Sequence, residues 1–204
     1  MKQKKEMSWN RMNKFVYSNF KLSLDYVKKI KNYIWFSFIL FFGIGILGYI
    51  FPVFFEEEIL VMIAELIKET EGLGTLGLIR FIFINNVKSG FFAMVFGIFL
   101  GIIPLIVTIM NGYVLGFVAS KTVAIGGVLV LWRLLPHGIF EIPAIMISVG
   151  LGLKLGLFLF ISKNKTWKEY KKWIIDSFRT FVFIVVPLLV IAGIIEGILI
   201  VFLG

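Results

Sequence analysis

Residues 33–55 read YIWFSFILFFGIGILGYIFPVFF, a run of 23 residues without a charged side chain. At about 1.5 Å of helical rise per residue, this run is about 34 Å long and therefore crosses the hydrocarbon core of a bilayer. It is longer than the apolar part of a secretory signal peptide, and no small-residue cleavage pattern follows it. We therefore predict that it is the first transmembrane helix.

The composition of the whole chain supports the same class of protein. The 204 residues are 59% hydrophobic and 16% charged, and a soluble domain of this size leaves too much surface exposed to hide that apolar content. We predict an all-α polytopic membrane protein with about five transmembrane helices, in which residues 33–204 form a single membrane domain. The four further apolar runs that are long enough to span a bilayer lie at residues 89–110, 112–135, 139–161 and 180–203.

Basic residues are concentrated on one side of the predicted spans. Residues 1–32 carry nine bases against two acids, and residues 163–179 carry six bases against two acids. Residues 56–88 instead carry six glutamates against three bases. Because Lys and Arg are enriched in cytoplasmic loops, we predict a multi-pass protein of the cell membrane with a cytoplasmic amino terminus and an external carboxyl terminus. This topology requires the interrupted run 112–135 to cross the bilayer completely.

Amphipathic segments flank the predicted spans. In residues 1–32, apolar side chains recur every three or four positions among the lysines, which is typical of a basic helix on an anionic inner leaflet, and residues 167–178 repeat the pattern. Outside, residues 56–71 form an amphipathic helix with three glutamates at its amino-terminal end, where the helix dipole favours acids. We interpret all three as interfacial anchors. For residues 56–71, docking of a partner's helix is the alternative.

Glycines spaced four residues apart occur on four of the five predicted spans. Such pairs allow two helix backbones to approach closely in lipid. They predict a tightly packed bundle, and packing within the chain is favoured over the alternative, a homo-oligomer interface. The pairs are Gly97 with Gly101, Gly112 with Gly116, Gly152 with Gly156, and Gly193 with Gly197.

Nine residues form the candidate functional site, and most of them are polar groups that lipid does not tolerate without a reason. An ionisable side chain at membrane depth costs at least about 2.5 kcal/mol, so it needs a partner, water or a function. In the predicted topology, the four ionisable groups and the pair Asn85-Asn86 collect in the outer half of the membrane, around the turn between the third and fourth spans. The members are Asn85, Asn86, Asn111, Arg133, Pro136, His137, Gly138, Glu141 and Glu196.

A structural interpretation competes with the functional one. Arg133 pairs with Glu141 in this alternative, and His137 and Glu141, four residues apart, form an ordinary buried pair. Asn111-Gly112 is most simply a tight turn between the second and third spans. Function is favoured over packing because Glu196, Asn85 and Asn86 join the same group.

The residue inventory excludes several classes of protein. There is no cysteine and only one histidine, so disulfide frameworks, thiol catalysis and multi-histidine metal centres are excluded. No nucleophile elbow, phosphate-binding loop or zinc-protease motif is present. We predict a non-enzymatic protein without a metal or a cofactor. The net charge of +9 is interpreted as topology and lipid contact rather than as nucleic-acid binding.

The string PHGIFEIPA at residues 136–144 is the most specific motif of the chain. Together with Asn85-Asn86, Asn111-Gly112 and the glycine pairs, it resembles the stage II sporulation protein M family, also called DUF95. The resemblance covers nearly the whole chain, and Pro136, His137, Gly138 and Glu141 match the family signature. It implies five spans and no catalytic residues.

The resemblance also implies a role. In endospore formers, the namesake of the family anchors and localises septal peptidoglycan-degrading proteins, whereas the role in organisms that do not sporulate is largely undefined. The leading hypothesis is therefore a non-enzymatic membrane component that anchors or positions partner proteins of an envelope-remodelling complex. The alternative is a transporter or channel for a small solute, ion or lipid, because buried ionisable groups and proline-interrupted helices mark such paths.

Overall fold

The computed structural model describes the backbone of residues 2–163 and 165–203, and the side chains of residues 11–132, 136, 138–163 and 165–202. The described part is helical almost throughout and contains no strand. Its helices are α1 Lys2–Lys29, α2 Lys31–Ile50, α3 Glu56–Thr70, α4 Thr75–Val95, α5 Ile102–Gly126, α6 Leu135–Gly156, α7 Phe158–Ile161, α8 Trp167–Thr180 and α9 Val186–Leu203. Short 3-10 segments follow α4 and α5, at Phe96–Ile98 and Val128–Leu134, and a π-helical segment, Phe181–Val185, joins α8 to α9.

Five helical segments of the described chain are long and apolar enough to cross a bilayer, which confirms the prediction of an all-α polytopic fold. The apolar surface that they leave exposed is the surface that a bilayer covers. The protein is therefore a multi-pass membrane protein. The segments are Lys31–Ile50, Thr75–Ile98, Ile102–Gly126, Gly138–Gly156 and Trp167–Phe202.

The boundary between the second and third spans differs from the prediction. The predicted tight turn at Asn111-Gly112 is wrong, because α5 continues through these residues without a break. The chain turns instead at Leu100 and Gly101, whose φ angles are 56° and 73°. Leu100 is apolar, so nothing in the hydropathy pattern marks this turn. The second span consequently begins at Thr75 and not at residue 89.

Helices α2 and α5 touch through their backbones. A Cβ atom added at Gly112 would lie 2.5 Å from the carbonyl oxygen of Phe41, and one added at Gly48 would lie 2.5 Å from that of Tyr113. A Cβ atom at Gly116 would overlap with the carbonyl oxygen of Gly45. Only glycine allows this approach, because any side chain would occupy the space of the opposite helix.

The other predicted glycine pairs are also used within the chain. Gly97 and Gly101, at the turn between α4 and α5, pack against Gly152 and Gly156 of α6. On α9, Gly193 faces Phe83 of α4, and a Cβ atom at Gly197 would lie 2.5 Å from Cγ1 of Ile79. These contacts confirm that the pairs serve packing inside the bundle.

Helix α6 occupies the centre of the bundle. It packs against α2, α4, α5 and α9, and its segment from Ala144 to Leu153 is buried throughout. Two polar residues in the bundle core satisfy their hydroxyl groups locally: Ser148 Oγ donates to the carbonyl of Ala144 at 3.0 Å, and Thr108 Oγ1 to that of Pro104 at 2.8 Å. Neither hydroxyl is therefore left as an unpaired donor in the apolar core.

The glycine contact between α2 and α5 yields a testable prediction. Gly116→Ala should lower the free energy of unfolding by about 1–3 kcal/mol, the usual cost of overpacking a filled site, because the added methyl group meets the backbone of α2. Thermal unfolding of the detergent-purified protein, followed by circular dichroism, measures the change. Gly43→Ala is the matched control, since no atom lies within 4 Å of a Cβ atom there. Equal unfolding temperatures for the two variants would contradict the packing.

Candidate functional site

Two half-open cavities between the helices share two acidic residues. The first, of about 240 Å³, is lined by Asn85 and Asn86 of α4, Glu141 of α6 and Glu196 of α9. The second, of about 290 Å³, is lined by Asn111 of α5 and again by Glu141 and Glu196, among mostly apolar side chains. The two glutamates therefore stand between the cavities, and a ligand in either one meets the same two side chains.

The fold brings Glu196 to this position through glycine packing. Glu196 is adjacent to Gly197, which lies against Ile79 of α4. The close approach of α9 to α4 brings Glu196 to the cavity that the two asparagines of α4 also line. At helical rise, Glu196 is about 10 Å from the carboxyl-terminal end of α9.

A proline shapes the part of α6 that carries Glu141. Pro143 lies inside this helix, and because proline has no N–H group, the carbonyl of Ile139 lacks its usual helical donor. Glu141 thus lies between a free backbone acceptor and the proline ring. The polar groups that α6 supplies here are hydrogen-bond acceptors, which favour a ligand that donates protons or carries positive charge, whereas Asn86 of α4 contributes a donor to the same cavity.

The asparagines lie deeper than predicted. Asn85 and Asn86 are in the middle of α4, about 16 Å from the amino-terminal end of that span, and not in front of a span. Asn86 is 8% exposed, and its Nδ2 is buried without a hydrogen-bond partner among the described atoms. Asn111 Nδ2 donates to the carbonyl of Val107 in its own helix at 2.8 Å. An amide without a partner at this depth is costly unless a ligand or water satisfies it.

Six of the nine predicted site residues line the two cavities: Asn85, Asn86, Asn111, Gly138, Glu141 and Glu196. Pro136 is half-buried in the first turn of α6 and lines neither cavity. The side chains of Arg133 and His137 lie outside the described residues, so their pairing with Glu141 stays a prediction. Within the described side chains, neither glutamate forms an ion pair, and no three acidic or histidine side chains are arranged to hold a metal ion.

Helix α3 covers the first cavity. The sequence did not reveal this position of the helix. Four of its residues line that cavity: Ile63, Leu66, Ile67 and Thr70. Its amino-terminal end is tied to α5 by the ion pair between Glu56 and Lys121. Beneath the same end lies an apolar cavity of about 750 Å³ between α2, α3 and α5. The apolar stripe of residues 56–71 was the available signal, but periodicity alone does not show which surface such a stripe faces.

Comparison with known proteins assigns the chain to a family. The family model for "Stage II sporulation protein M" matches residues 34–199. The chain is similar to the uncharacterized protein MJ0706 of Methanocaldococcus jannaschii, with 33% identity over 114 residues, which is 54% of this chain and 51% of that protein. The match thus spans about half the length of that relative, and no solved structure matches the chain. The chain belongs to the stage II sporulation protein M family.

Proposed function

We propose that this membrane protein binds a proton or a small monovalent cation at Glu141 and Glu196 and conducts it through the bundle. One observation carries the proposal: both glutamates line both cavities. Ionisable residues at membrane depth are rare, and they mark ion and proton paths. A cation that passes from one cavity to the other stays in contact with the same two side chains, so its charge remains compensated in an apolar surrounding.

The two cavities differ in the elements that border them, as a path requires. The first is covered by α3 and is lined by the two asparagines of α4, whereas the second faces α2 and α5. Amide oxygens of asparagine are suitable additional ligands for a hard cation. Helix α3 lies over the first cavity and buries only Ile59 among its own residues, so few contacts other than the ion pair between Glu56 and Lys121 oppose its displacement.

The test uses the purified full-length protein in proteoliposomes that report proton, Na⁺ and K⁺ flux. Glu141→Gln and Glu196→Gln should each reduce the flux at least about tenfold, because a neutral amide cannot balance a cation or carry a proton. Glu69→Gln, on the exposed side of α3, is the matched control and should keep the flux. Gel filtration and unfolding temperature separate lost flux from lost fold.

Two outcomes of this experiment would contradict the proposal. The first is a wild-type protein that moves none of the three cations across the membrane. The second is a Glu141→Gln variant that is folded and conducts as fast as the wild type.

The second candidate function is the positioning of partner proteins, which the family resemblance implies. The outward side of α3 favours it: Leu60 and Val61 are 49% and 57% exposed, and neither lines a cavity. Apolar residues that are not used by their own bundle are available to a partner helix in the same membrane. The glutamates at the start of α3 extend this surface with negative charge.

Co-purification from the native host tests the positioning function. Val61→Glu should abolish recovery of a stoichiometric partner in mild detergent, because a charge in an apolar contact is costly. Leu129→Glu is the control, since Leu129 is 86% exposed and lies outside α3. No stoichiometric partner with the wild type, or equal losses with both variants, would contradict this function.

A further inference from the structure

Helices α1 and α8 run antiparallel and enclose a basic groove that none of the functions above uses. The rings of Phe15 and Phe183 lie 6.2 Å apart, while the hydroxyl of Tyr26 lies 3.5 Å from the carbonyl oxygen of Trp173. From Phe15 to Tyr26 the residue number rises along α1, whereas the number of the contacting residue falls from 183 to 173. The two segments therefore run in opposite directions. The groove between the helices has a volume of about 490 Å³.

A cation–π clamp holds the two helices to the bundle. The Nζ atom of Lys154, near the end of α6, lies 4.6 Å from the ring centre of Tyr26 and 4.7 Å from that of Trp173. Burial raises the pKa of Tyr26 to about 12, which reflects how far its ring is removed from water. Each such contact is stronger when it is removed from water. The clamp therefore fixes the two helices that form the groove against the bundle.

The charges of the groove identify the class of ligand. Five bases line it against two acids, Asp25 and Asp176. Asp176 is paired with Arg179 at 2.7 Å, and Asp25 is paired with Lys28, which does not line the groove. Among the described side chains, the four lysines of the groove therefore form no ion pair. The bases are Lys29, Lys168, Lys171, Lys172 and Arg179. Several cations around one concave surface bind phosphate groups.

The position of the groove indicates where the phosphate comes from. Lys29 lies directly before α2, and Arg179 lies directly before the apolar part of the last span, so the groove is at the boundary between bundle and water. Its lining also contains Leu22 and Ile175, which are 48% and 47% exposed. A phosphate ester that carries acyl chains satisfies both parts of this surface, because its head group meets the lysines and its chains meet the apolar residues.

We infer that the groove between α1 and α8 is a binding site for the phosphate head group of an anionic phospholipid. This site is separate from the Glu141 and Glu196 cavities, and it is independent of the cation path proposed above. The lipid fixes α1 and α8 at the membrane surface through charge as well as through apolar contact.

Native mass spectrometry of the full-length protein in neutral detergent tests the inference. Phosphatidylglycerol should bind at least about tenfold more tightly than phosphatidylcholine with the same acyl chains, since each lysine near an anionic lipid contributes on the order of a factor of five. The combined variant Lys168→Gln, Lys171→Gln and Lys172→Gln should lose this preference. The combined variant with arginine at the same three positions should keep it.

A charge-matched control and a soluble ligand complete the test. Lys14→Gln, Lys21→Gln and Lys163→Gln remove three lysines that do not line the groove, and this variant should keep the preference. Equal losses in the two glutamine variants, or no preference over phosphatidylcholine, would overturn the site. Glycerol phosphate that binds as tightly as phosphatidylglycerol would assign the groove to a soluble phosphate ester and overturn the lipid assignment.

Discussion

Close contact between helix backbones at glycine is the constraint on which this structure depends. In lipid, apolar side chains gain little by leaving the solvent, so transmembrane helices associate through van der Waals contact and polar bonds. The α2–α5 contact at Gly112 and Gly116 and the α6 contact at Gly152 and Gly156 provide such surfaces. The positions of the polar residues follow from this packing, because Gly197 lets α9 approach α4 closely, and Glu196 lines one cavity with the asparagines of α4.

Burying these polar side chains costs free energy, which the packing of the bundle has to offset. Two glutamates and a buried asparagine without a partner among the described atoms lie within apolar surroundings. A bundle that needed only stability would place leucine at these positions, since apolar replacements of buried polar groups are often neutral or stabilising. The presence of both carboxylates beside two cavities therefore supports a binding role for the group, with α3 as its cover.

The sequence predicts the fold class and the glycine contacts well and the helix boundaries less well. Apolar runs and glycine spacing are local signals, and they correctly indicate five spans and close packing. The turn at Leu100 and Gly101 is not predicted, because these residues do not interrupt the apolar pattern of the spans. Asn111-Gly112 is instead a dipeptide typical of turns that lies inside a helix. The meeting of Glu141 with Glu196, 55 positions apart, is predicted from topology, whereas the cover formed by α3 depends on tertiary contacts that no local pattern encodes.

The geometry of the site requires that three helices, α4, α5 and α6, each cross the membrane between α3 and the loop after α7. The chain contains no cysteine, so Glu69→Cys and Lys163→Cys each provide a single labelling site without background. In intact cells, a membrane-impermeant maleimide should label only one of the two variants, and the other should react only after permeabilisation. Labelling of both variants in intact cells would show an even number of crossings, and it would contradict the common depth of Glu141 and Glu196.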